Sequence, residues 1–314
     1  MIENTELRQK LIYPFTLRLY QLIRSLGKGY PVHSRKQREQ LQPLFIIGAG
    51  RSGTTLLRSI LNNNEQICIP PESHGTIPNC AKKFYRYQML DWEDLVRILI
   101  GEFASINHFD YWELDPQSLI DQCNSLPKEE KTLASIINVI YSTYRNRAAP
   151  QAIIWGDKSP FNTLRLRWLH RIFPNARYIH IIRDGRDVVS SYLKKGLITN
   201  IESAADRWLL SLKKVEAFEH NKKPQILTIY YEDLVTQTND TVEKLCRFLG
   251  VPFSDKMITG RSADAKDLEM DHMQNVHKAI NPGSIGKWKR NLSHTQQTEI
   301  TRRLTTMLQK HNYA

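Results

Sequence analysis

The stretch Leu44-Phe45-Ile46-Ile47-Gly48-Ala49-Gly50-Arg51-Ser52-Gly53-Thr54-Thr55-Leu56-Leu57 decides the fold. Its apolar start reads as a buried strand, its glycines as a sharp turn, and the Leu56-Leu57-Arg58-Ser59-Ile60-Leu61 that follows as a helix. Such a turn brings backbone N–H groups and the positive end of a helix onto one point, which suits an anion. The spacing is that of a phosphate-binding loop, G-x-x-x-x-G-K-[ST], except that Thr54 stands where lysine belongs. Losing that lysine removes a full charge from the group that a triphosphate enzyme transfers, and a cation has moved into the loop as Arg51. The expected ligand is therefore an anion unlike a nucleoside triphosphate. A Gly/Ser turn with no ligand is the plain alternative.

Working outward, the run 178–185 (YIHIIRDG) repeats the strand-turn-helix pattern, and 152–156 (AIIWG) and 225–231 (QILTIYY) add two strand candidates. Ser159-Pro160 reads as an N-cap followed by proline at the first helical position. Strands alternating with helices predict an α/β fold in three layers, a central parallel sheet flanked by helices. The segment 82–148 is helical in pattern and reads as an insertion beside the sheet. With no repeats and no linker, residues 1–314 are expected to form one domain carrying a basic helical extension at 1–42. In that extension Leu7, Leu11, Phe15, Leu19, Leu22 and Leu26 form an apolar stripe. The stripe is read as packing on the domain, with a membrane-surface helix as the alternative.

With 314 residues, 41% hydrophobic and 24% charged, the chain is neither disordered nor a disulfide scaffold. The net charge of +12 is concentrated at the ends: residues 1–42 hold 8 basic against 3 acidic residues, and 278–314 hold 7 against 1. The middle is nearly neutral, and no RNA-binding signature or zinc-finger spacing is present, so nucleic acid is not an expected partner. No apolar run reaches the roughly 18 residues of a membrane span and no leader pattern opens the chain, so the expected location is the cytoplasm. Cys68, Cys80, Cys123 and Cys246 lack C-x-x-C spacing and read as buried thiols.

The loop Arg51-Ser52-Gly53-Thr54-Thr55 resembles that of the sulfotransferases that use 3′-phosphoadenosine 5′-phosphosulfate (PAPS) and release 3′,5′-bisphosphoadenosine (PAP); the motifs lie closest to the tyrosylprotein branch. The resemblance implies a P-loop NTPase-like sulfotransferase fold, with these five residues on the 5′-phosphosulfate. It also implies an arginine ending a second strand with a serine eight residues later, both on the 3′-phosphate; Arg183 and Ser191 match. That spacing makes sense by itself, because a helix starting at Asp184 or Gly185 puts Ser191 two turns along on the same face.

Sulfuryl transfer needs a base for the acceptor's proton and a cation for the departing oxygen. In the tyrosylprotein branch a glutamate 21 residues past the loop arginine is the base, which is Glu72 here; His74 is the rival, since cytosolic sulfotransferases use histidine. Lys158 lies between a strand end and a helix start, where open α/β sheets bind ligands. The resemblance gives it the bridging oxygen, although Asp157 replaces the branch's asparagine and is expected either to hold the ammonium or to weaken it. Tyr231, in Tyr230-Tyr231-Glu232-Asp233-Leu234, matches a tyrosine that lies against adenine, with core packing as the alternative. Ser284 and Lys287 match a late loop over the cofactor. The expected reaction is sulfuryl transfer from PAPS to a hydroxyl or amine of a small-molecule, lipid or sugar acceptor, with no metal. A P-loop kinase lacking its lysine and a non-catalytic nucleotide-binding protein are the alternatives.

Overall fold

A computed structural model describes residues 29–107, 109–259 and 280–313; the leucine stripe at 7–26 lies outside the described residues. Five parallel strands, β1 (Leu44–Ile47), β2 (Ile67–Cys68), β3 (Ile154–Lys158), β4 (Arg177–Ile182) and β5 (Gln225–Tyr230), lie in the spatial order β2-β3-β1-β4-β5. β1 is central, with Leu44 opposite Gly156 on one side and Arg177 on the other. All four of its side chains are buried, which is why this strand reads as an unbroken apolar run.

Helices cover both faces. Successive strand residues point to opposite sides, so Phe45, Ile47, Trp155 and Tyr178 share a core with α2 (Thr76–Tyr87), α3 (Trp92–Ala104), α4 (Pro116–Asn124) and α5 (Leu133–Ala148). Leu44, Ile46, Ile179 and Ile181 face α1 (Thr54–Asn62) and α9 (Thr238–Leu249). A third cluster joins α7 (Gly185–Lys194), α8 (Ile201–Lys222) and α10 (His294–Lys310). The helical region expected at 82–148 thus packs directly on a sheet face; α5 opens where Thr132 accepts a hydrogen bond from the Ser135 amide. All four cysteines are buried, and none forms a disulfide.

Three sequence expectations need correction. β3 begins two residues later than 152–156 and runs through Asp157 and Lys158, because Phe45 and Ile46 pair with these charged residues. Apolar periodicity stops at Gly156; the ladder does not. Ser159-Pro160 opens a turn and a short 3-10 segment, Asn162–Arg165, before α6 (Leu166–Ile172). Ser159 accepts the Asn162 amide through its backbone oxygen, so its hydroxyl does not cap. β2 was not expected at all, since two residues carry no periodic signal.

One core group gives a pH prediction. His180, on β4, is 4% exposed, and burial, with His311 adding to it, lowers its pKa to about 3 from 6.5. The folded state keeps the ring neutral while the unfolded chain protonates it, so its stability contribution is complete above pH 6.5 and lost as pH falls toward 3. Urea unfolding should show stability declining across that window by as much as ~1.4 kcal/mol per pH unit from this group. A His180→Leu variant should lose that slope.

Candidate active site

Parallel strands end on one side of the sheet, so the loops after β2, β3, β1, β4 and β5 line up in that order across a single crevice. The strand ends and these loops carry, in turn, Glu72, Lys158 as the last residue of β3, the Gly48–Gly53 loop, Arg183 and Tyr231.

The glycine-rich loop is fixed from below. Thr163 Oγ1 accepts from the Gly48 amide and donates to the Gly48 carbonyl, both at 2.9 Å. Gly53 precedes α1 at φ 98°, and a Cβ there would meet Tyr231 Cδ2 at 2.5 Å, so glycine is required for both reasons. α1 has no side-chain cap, which leaves its first-turn N–H groups to a ligand or solvent. Thr54 is buried at the first helical position, Thr55 is half-buried, and the Ser52 hydroxyl is buried without a hydrogen-bond partner among the described residues.

Cations converge beside this loop. Arg51, itself at φ 70°, donates Nε to Ser191 Oγ at 3.1 Å, tying the loop to α7. Burial lowers its pKa, and the neighbouring Arg183 pushes the same way. Arg183 donates to the Arg51 carbonyl at 3.1 Å and the Ser284 carbonyl at 2.5 Å, while its Nε is buried without a hydrogen-bond partner among the described residues. Lys287 Nζ donates to Ser284 Oγ at 3.2 Å. Its pKa lies below the usual lysine value because of burial and of the Arg183, Lys194 and Arg290 cations. The segment Ser284–Trp288 is held by Asp187, whose carboxylate accepts from the Gly286 amide at 2.8 Å and the Trp288 amide at 2.9 Å. Asp187 is also 3.7 Å from Arg183.

Tyr231 is only 7% exposed, and the Arg183 guanidinium lies 4.4 Å from its ring centroid. The ring is a floor for Arg183 and Gly53, which corrects the expectation of an open face for adenine: core packing and the cation have taken it.

On the other side of the loop, Lys158 is 1% exposed and donates to Glu72 Oε2 at 2.5 Å. Glu72 Oε1 lies 3.8 Å from His74 Nδ1, beyond hydrogen-bond range, and makes no hydrogen bond among the described residues. The start of the segment bearing Glu72 is anchored by Asn62, which exchanges hydrogen bonds of 2.9 and 2.8 Å with Ile69. Asp157 points to the opposite face of β3 from Lys158, which corrects the expectation that it acts on the ammonium.

A model of the sulfotransferase family matches residues 43–255. The chain belongs to that family. Among its relatives, protein-tyrosine sulfotransferase A of Caenorhabditis elegans is 24% identical over 259 residues, covering 78% of this chain; the chain spans 60% of that relative's length. A putative protein-tyrosine sulfotransferase of Caenorhabditis briggsae is 24% identical over 259 residues, 79% of this chain and 80% of its own. The sulfotransferase domain of the Synechococcus PCC 7002 olefin synthase shares the fold at a TM-score of 0.59 and 23% identity, over 90% of this chain and 96% of that one.

In this sulfotransferase-family chain the crevice gathers Arg51, Arg183, Ser191, Ser284 and Lys287 on one side of the loop and Glu72, Lys158 and His74 on the other. Sequence reading missed the fasteners. Thr163 under Gly48 left no signal, whereas Asp187, one turn after Arg183, was legible as a helix-start acid but not as the clasp for residues 286–288.

Proposed function

We propose that the chain transfers a sulfuryl group from PAPS to an acceptor hydroxyl and releases PAP. The observation that supports this most is the pairing of a cation cluster short of anions with an adjacent carboxylate–ammonium pair. Among the described residues, Asp187 is the carboxylate within ion-pair distance of the Arg51, Arg183 and Lys287 cluster, with Glu232 acting on Arg183 from farther off, and the Arg183 Nε and Ser52 hydroxyl are buried donors without a hydrogen-bond partner there. Buried donors left unpaired are costly, and phosphate oxygens would satisfy them. The residues therefore fit the donor: Arg51, Ser52, Gly53, Thr54 and Thr55 at its phosphosulfate end, and Arg183 with Ser191 at the 3′-phosphate.

Bound PAPS supplies an activated sulfuryl group in mixed anhydride with phosphate. Glu72 Oε1 takes the acceptor proton while Oε2 stays on Lys158, and Lys158 and Arg51 meet charge on the departing bridging oxygen. A new bond joins sulfur to the acceptor oxygen as the bond to the bridging oxygen breaks. These protein cations supply the charge that magnesium supplies to kinases. The small-molecule, lipid or sugar acceptor expected above is kept as the first reading. The nematode relatives, protein-tyrosine sulfotransferases, favour a second, a tyrosyl hydroxyl.

Thermal shift tests the donor assignment. PAP at about 100 times its Kd should stabilise the protein by ~2.7 kcal/mol, with no need for magnesium. Stabilisation by Mg-ATP but not by PAP would favour the kinase alternative. Transfer from radiolabelled PAPS to a tyrosine peptide, or to alcohol, lipid and sugar acceptors, then separates the two acceptor readings.

A further inference from the structure

We propose that Asp157 is the positioning residue for the Glu72–Lys158 pair, acting through Ser73; this rests on the reading of that pair as the base and its cation. Asp157 is fully buried, and among the described residues no ion pair reaches its carboxylate. Three donors from three parts of the chain bind it. Tyr141, on α5, donates to Oδ1 at 2.9 Å; Ser73 and Asn162 donate to Oδ2 at 3.0 and 2.5 Å. Burial raises the Asp157 pKa and these three hydrogen bonds oppose the rise. A buried carboxylate without a cation is expensive to keep, so its geometry requires a use.

The use lies in how poorly the sheet itself holds Glu72. β2 pairs through only Ile67 and Cys68, and the chain then leaves the ladder. Asn62 fixes it at Ile69, but at the far end His74 and Gly75 turn away at φ 51° and 76°. Between those points the Ser73 carbonyl is held within the segment by the Thr76 amide and hydroxyl, and the Ser73 side chain, one residue from Glu72, is what ties the segment to β3. Asp157 is likewise one residue from Lys158. Because neighbours on β3 face opposite ways, one carboxylate below the crevice sets both members of the pair above it. Tyr141 extends the hub into the helical layer: its ring stacks on Trp155 at 4.5 Å between centroids, so α5 braces the same point.

Hydrogen-bond capacity separates geometry from charge. Asparagine at 157 keeps one carbonyl oxygen for Ser73 and Asn162, and its amide can donate to the Tyr141 oxygen. Asp157→Asn should therefore keep turnover within a few-fold of the wild type. Ser73→Ala, which cuts only the tether and leaves two donors on the carboxylate, should lower kcat by about tenfold to a hundredfold with KM for PAPS and PAP binding unchanged. Asp157→Ala should lose at least as much and melt earlier. Crystal structures of Ser73→Ala and Asp157→Asn supply a readout independent of turnover: Glu72 should leave Lys158 in the first and stay on it in the second.

Wild-type kcat in Ser73→Ala, an unmoved Glu72–Lys158 contact in its crystals, or an Asp157→Asn variant as impaired as Asp157→Ala would overturn the proposal. A parallel loss of PAP affinity in Ser73→Ala would overturn it too, since the tether would then serve the whole crevice. Should the wild type transfer to no acceptor, the functional reading fails while the crystal comparison still decides the role of Asp157.

Discussion

Replacing Glu72 by glutamine should reduce turnover by about 10² to 10⁴-fold while leaving PAP affinity unchanged. The reason is the division of labour between its two oxygens. Oε2 accepts from Lys158 at 2.5 Å, and Oε1, with 14% of the side chain exposed, has no hydrogen bond among the described residues. A glutamine carbonyl can keep the contact with Lys158, so the buried ammonium stays partnered and the fold is retained. The amide nitrogen then stands where Oε1 was and has no lone pair to take a proton. Steady-state kinetics with radiolabelled PAPS, alongside PAP thermal shift, checks both halves of the expectation. His74 is the control: its side chain is 48% exposed and 3.8 Å from Glu72, so His74→Ala should cost a few-fold at most. The reverse pattern, with glutamine tolerated and His74→Ala inactive, would assign the base to His74.

The second large effect is on donor binding. Arg183→Glu should weaken PAP binding by about a hundredfold or more, roughly 3 kcal/mol, measured by calorimetry. Arg183 lies on the Tyr231 ring, bridges the Arg51 and Ser284 carbonyls, and keeps Nε without a partner. Reversal removes a charge-assisted donor and also puts a second carboxylate beside Asp187, which now sits 3.7 Å from the guanidinium. Arg183→Lys should fall between, because an ammonium keeps the charge but lacks the planar fork that reaches two carbonyls at once. Unchanged PAP affinity in Arg183→Glu would remove the 3′-phosphate from this end of the crevice.

How far the sequence foretold this site follows from what kind of force places each residue. The loop at 48–53 was legible because it is local: a strand end, a turn and a helix start dictate it. Resemblance supplied the Arg183–Ser191 pair, whose spacing fits one helix face, while the contact the structure gives Ser191 is with Arg51, across 140 positions, which no local pattern announced. Glu72 and Lys158 were found by resemblance, not by pattern, since β2 is too short to announce itself and Lys158 sits in a strand that apolar periodicity ends early. For Tyr231 the sequence left adenine contact and core packing open, because an aromatic ring near an anion site serves equally as a stacking face or as a floor; the packing of Arg183 and Gly53 on the ring favours the floor. Asp157 was misjudged for a related reason: proximity in sequence to Lys158 suggested contact, whereas strand alternation sends the two side chains apart. Thr163 beneath Gly48 is 115 positions away in sequence, and no local rule could have joined them.

The placement of β1 at the middle of the sheet has an engineering consequence. Under the proposed function, nucleotide recognition would hang from β1 and its neighbours on the β4–β5 flank, and proton removal from β3 and a two-residue edge strand on the other. On that reading, remodelling the outer rim beside this flank, with Glu72 and Ser73 kept, should redirect the molecule toward new alcohols while the nucleotide half stays intact.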